Sequence, residues 1–129
     1  MEILKSISLK QLVLAYLPPT LWAGFIFFLS AQGILPSFEF STLDFIFKKS
    51  SHMFVYGVLY FLLWRAVRLT IPGPHRAIHW ILPMALTLLY AISDELHQNT
   101  VPGRYGTFRD VGYDMLGAGI VFLLQYRYI

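Results

Sequence analysis

Residues 78–98 read IHWILPMALTLLYAISDELHQ, and this stretch decides the architecture. It is an apolar run of the length that carries a helix across a bilayer, about 20 residues. It nevertheless closes on two adjacent acids, Asp94 and Glu95, followed by His97 and Gln98. Counted at helical spacing, Thr87, Tyr90, Asp94 and Gln98 fall within an arc of about 80°, with Glu95 displaced to one side. Lipid does not solvate such a stripe, so it is expected to face the interior of a bundle.

Three further apolar stretches surround this one, at about 12–30, 51–69 and 111–128. The first contains Pro18 and Pro19, which remove backbone donors and are expected to kink it. The Ile71-Pro72-Gly73-Pro74 run stops the second. Neither internal repeats nor a dividing linker is visible. The expectation is an all-α, integral membrane bundle of four transmembrane helices, forming one domain over 1–129. Composition agrees: hydrophobic residues make up 57% of the 129 residues and charged residues 13%. A soluble domain carries about 25% charged residues. The mean hydropathy of +0.59 excludes a soluble globular domain and a disordered chain alike. With no cysteine, disulfides and thiolate chemistry are excluded. The net charge of +3 is read as fixing membrane orientation rather than binding nucleic acid.

Lys5, Lys10, Arg65, Arg68, Arg76 and Arg127 fall on one side of this topology, and Lys48, Lys49, Arg104 and Arg109 on the other. The positive-inside rule then places both termini in the cytoplasm. The loops around 33–47 and 99–108 would face outward. Six of the seven acids, Glu39, Asp44, Asp94, Glu95, Asp110 and Asp114, gather in that outward half. On the second helix, Lys49, His52 and Tyr56 share an arc of about 60°, as do Asp110, Asp114 and Gly117 on the fourth. Lys48 and Lys49 at a helix start, and Asp94 and Glu95 near a helix end, are each misplaced for their own macrodipole. Cations and anions at one membrane face are therefore expected to offset one another.

Lys49-Ser-Ser-His52 with Tyr56, then Ser93-Asp-Glu-Leu-His-Gln98, Val101-Pro-Gly-Arg104, and Asp110 with Gly117 closely resemble the VanZ-like family, named for a teicoplanin-resistance protein of enterococci. The resemblance runs from the first helix to the end of the chain. It implies a small multi-pass protein of the bacterial inner membrane, with a setting in cell-envelope physiology and lipoglycopeptide tolerance. An asparagine is common in the family where Asp114 stands, so this chain carries an extra potential charge there.

The candidate site residues are Lys49, His52, Tyr56, Asp94, Glu95, Gln98, Arg104, Asp110 and Asp114. Each also has a structural reading. Lys48 is expected to snorkel to headgroups, and Arg104, in a turn after Pro102-Gly103, to pair with Asp94 or Glu95. His75, His79 and Trp80 read as interfacial anchors, and Gly112, Gly117 and Gly119 as close-packing positions. His52, Asp94, Glu95, His97 and Asp110 offer nitrogen and oxygen ligands for a hard metal. No His-Glu-x-x-His spacing occurs and His97 points away from Glu95, so neither metal nor cofactor is expected. Ser93 lacks a Gly-x-Ser-x-Gly elbow, which removes support for a serine triad. The expected function is binding of a lipid-linked cell-wall precursor or a lipoglycopeptide in an outward polar pocket, among membrane lipids. The alternative is a membrane-embedded enzyme acting on a lipid-linked phosphate or ester, without an identified nucleophile.

Overall fold

The computed structural model describes residues 7–31, 41–102 and 107–127. They form four α-helices: α1 (Leu9–Ser30), α2 (Ser41–Thr70), α3 (Ile78–Gln98) and α4 (Phe108–Gln125). No strand occurs among the described residues. Glu39, Arg104 and much of the expected outward loops lie outside them.

A capping box opens α1: Ser8 accepts from the Gln11 amide, and the Gln11 side chain accepts from the Ser8 amide. The helix runs unbroken through Pro18 and Pro19. α2 begins ten residues before the start expected from the sequence. Lys48, Lys49, Ser50 and Ser51 look like the polar lead-in to a helix. They lie inside it instead, and Asp44 with Lys48 forms an i,i+4 ion pair one turn upstream, 2.8 Å long. Lys49 is thus more than two turns from the helix start, beyond the reach of its unfavourable dipole. Asp44 occupies the first turn, where an anion is favoured.

α2 packs against all three other helices, and α1 and α4 make no direct contact. Ile26, Tyr56, Leu59, Ala91 and Val111 form the buried apolar centre, one or two from each helix. Side-chain donors tie α1 to its neighbours. Trp22 Nε1 donates to the Val55 carbonyl at 2.7 Å, Tyr90 donates to the Ala23 carbonyl at 2.5 Å, and Tyr16 bonds Thr70 at 3.1 Å. Such bonds hold helices together where burial of apolar surface drives association only weakly.

Leu9–Ser30 and Thr42–Thr70 are each long and apolar enough to cross a membrane. Only 17% of the α1 window and 39% of the α2 window is buried within the protein. Leu14, Leu17, Leu21, Phe25 and Phe28 are exposed on α1 alone, an apolar surface of the kind that marks a membrane or protein contact. Asp94, Glu95 and His97 interrupt the apolar run at the end of α3, and Arg109, Asp110 and Asp114 do so in the first turns of α4.

The other end of the bundle is closed by His79. This side chain is fully buried: its Nδ1 accepts from the Arg76 amide at 3.0 Å, and its Nε2 meets the Ile71 carbonyl at 2.7 Å. It pins the α2–α3 connection to the start of α3. That is a different role from the interfacial anchor expected of it.

Candidate functional site

At one pole of the bundle, the third to fifth turns of α2 meet the last turns of α3 and the first turns of α4. Each contributes one of the polar stripes read from the sequence. Asp94, Glu95, Gln98, Asp110 and Asp114 are all buried, with Asp114 at 0% exposure.

The pairings differ from those expected. Lys49 reaches across to Asp110 on α4 rather than to Asp94 or Glu95 on α3. Its ammonium also lies 5.2 Å from the Tyr113 ring centre and 5.6 Å from that of Phe45. Two ring faces thus supplement one carboxylate. Asp110 receives the Thr107 hydroxyl as well, at 3.1 Å, and serves as the first-turn acid of α4. One turn deeper, His52 Nδ1 meets Asp114 Oδ1 at 2.8 Å. Deeper still, the Tyr56 hydroxyl donates to Asp94 Oδ2 at 2.8 Å, and Gln98 donates to the same oxygen at 3.4 Å and to Ser30 at 3.3 Å. Each rung joins α2 to an acid on another helix, Asp110, Asp114 and then Asp94.

Glu95 stands apart from the ladder. Neither of its carboxylate oxygens has a side-chain hydrogen-bond partner among the described residues, and only the Thr107 backbone approaches them as a donor. Asp114 Oδ2 is likewise without one. A ring nitrogen of His52 and one carboxylate oxygen each from Glu95 and Asp114 lie within 4.8 Å of one another. The expected pairing of Arg104 falls outside the described residues. His97 stacks on Phe27, with ring centres 4.4 Å apart, away from this group.

An open groove of about 430 Å³ begins beside the ladder, lined by Met53, Phe54, Gly57, Val58, Phe61, Gly117, Ile120 and Val121. Met53 follows His52 in α2, and Gly117 lies one turn beyond Asp114 in α4, so the groove starts beside the His52–Asp114 rung. It was not legible from the residues, because its depth comes from two helices crossing at glycine. A Cβ on Gly117 would come within 2.0 Å of the Met53 backbone, and one on Gly57 within 3.3 Å of the Gly117 carbonyl. Gly112 and Gly119 differ from the expectation: a Cβ on either meets nothing within 4 Å.

The VanZ/LLP1 family model matches residues 12–128. No curated protein and no solved structure matches the chain.

Proposed function

The chain belongs to the VanZ/LLP1 family, and from that premise we propose that it binds a lipid-linked or lipidated cell-envelope molecule at the polar pole of the bundle. Family membership carries a broad association with resistance; tolerance of teicoplanin-type lipoglycopeptides is the specific form proposed here. The bundle would cross the inner membrane four times, with both termini cytoplasmic and the ladder at the outer leaflet.

The observation that carries this reading is the junction of a polar cluster with an apolar groove. Lys49 and His52 keep 22% and 19% of their side chains exposed, so they can meet a polar head. From Met53 to Phe61 the groove follows α2 for about 12 Å, room for part of a hydrocarbon chain. One amphipathic molecule with a polar head and a lipid tail fits both. The test is mass spectrometry of lipids retained after gentle detergent purification, with Val58→Trp filling the groove. A bound envelope lipid lost in the variant at unchanged thermal stability is the expected result. Identical lipid profiles for both proteins would remove the groove from the mechanism.

The His52–Asp114 contact favours a second reading, an enzyme acting on a lipid-linked phosphate or ester. A buried carboxylate orients the imidazole as it does in a general base. The nearby hydroxyls are engaged with backbone, Ser51 with Phe47 and Ser93 with Tyr90. Product release from a lipid-linked phosphate, abolished by His52→Gln, would select this reading over binding alone.

A further inference from the structure

Four acids, Asp94, Glu95, Asp110 and Asp114, are buried at one pole among the described residues, each with at most 7% exposure. The positive groups that meet them are Lys49, on Asp110, and His52, on Asp114. Even with His52 protonated, two negative charges are left over when all four acids are ionised. Asp94 is provided with two neutral donors, Tyr56 and Gln98. Glu95 meets no side-chain donor among the described residues and at most the Thr107 backbone, and Asp114 keeps one oxygen unused. A buried carboxylate without a partner is strongly disfavoured, and buried charges are paired or coordinate metals.

From this geometry we propose a site for one divalent first-row cation, held by His52 of α2, Glu95 of α3 and Asp114 of α4. It goes beyond the lipid-binding reading and stands without it. Four observations converge on the same atoms. The ligand atoms lie within 4.8 Å of one another, the span of a coordination shell with bonds of about 2.0–2.4 Å. Glu95 and Asp114, the two acids among the described residues with buried carboxylate oxygens that no side chain meets, are two of the three ligands. A ligating His52 is neutral, so the described residues leave three negative charges at this pole, of which the ion would offset two. His52 Nδ1 and Asp114 Oδ1 lie 2.8 Å apart, the spacing of neighbouring ligands, so the ion would take the place of the proton they share.

One imidazole with two carboxylates suits Mn2+ or Zn2+ better than Mg2+ or Ca2+, which take oxygen almost exclusively. Three protein ligands from three helices leave positions open on the ion for water or a ligand group. The ion would also join α2, α3 and α4 at a single point.

The experiment uses the full chain in detergent, stripped with chelator and titrated with Mn2+ alone, with no lipid added. Uptake is followed by the loss of the free Mn2+ electron paramagnetic resonance signal. The expected result is one Mn2+ per chain, with nitrogen modulation from His52 in the pulsed spectrum and a raised melting temperature. Glu95→Gln and His52→Gln should each weaken binding about tenfold or more, whereas Asp44→Asn, at the separate Lys48 pair, should leave it unchanged. The nitrogen signature is read on the unmutated chain, so it holds even where a variant folds poorly. Absence of uptake, or uptake without nitrogen coupling, overturns the site. So does uptake confined to Arg104→Gln, which would show that Glu95 is engaged by an arginine instead.

Discussion

At the scale of single residues, Lys49 determines which acids are left over. Its side chain is 22% exposed and Asp110 10%, so the pair is screened only in part. Lys49→Met strands a buried carboxylate, and Asp110→Asn strands an ammonium whose remaining contacts are two aromatic faces. Each substitution should lower the melting temperature in detergent. The double variant should recover part of the loss, with a coupling energy of about 0.5–3 kcal/mol. Full burial would push the cost of breaking a pair to about 3–5 kcal/mol, so partial exposure favours the lower range. Simple additivity in the thermal melts would mean that the two charges act independently. The residue types and their helical spacing were enough to name both partners as site candidates, but not to pair them. Which acid Lys49 meets depends on the rotation and axial offset of α4 against α2, and intrahelical spacing contains neither quantity. For the same reason a ligand set drawn from three helices leaves no compact motif, and a metal was not expected from the sequence.

At the scale of elements, the α2–α4 crossing is the tightest contact in the fold. Gly117 lets the Met53 backbone approach where any side chain would collide with it. Gly117→Ala should therefore separate the helices, open the groove and destabilise the protein by about 2 kcal/mol or more, in the range of overpacked cores. Gly112→Ala should be neutral or stabilising by up to about 1 kcal/mol, since alanine is the better helix former and nothing lies in its way. Thermal melts of the two variants side by side check the contrast, and equal losses would show that the crossing is not held by close approach. Sequence spacing made the glycines of α4 look equivalent. Only the position of a second helix distinguishes them. The early start of α2 was hidden similarly, because consecutive lysines and serines resemble a connector unless Asp44 is recognised as the i,i+4 partner of Lys48. The cross-helix donors had a readable signal that was not used: indole and phenol groups inside apolar helices require acceptors.

At the scale of the whole molecule, the four-helix, all-α architecture was legible because each apolar stretch approaches membrane length and turn residues separate the second and third. The orientation rests on a basic bias of six residues against four, and it is testable because the chain lacks cysteine. Thr100→Cys and Ser37→Cys should label with an impermeant thiol reagent in intact cells, and Ser6→Cys only after the membrane is opened. Labelling of Ser6→Cys alone would invert the topology.

α1 presents most of its surface outward and is tied down by Trp22, Tyr16, Ala23 and Ser30. The partners of those residues, Val55, Thr70, Tyr90 and Gln98, all lie later in the chain. α1 is therefore made before the segments it is tied to. Under the four-span topology proposed above, α1 would be solvated by acyl chains until α2 and then α3 dock against it. Its exposed leucines and phenylalanines suit such a state, in which the face that never becomes core would be the one that acyl chains cover first.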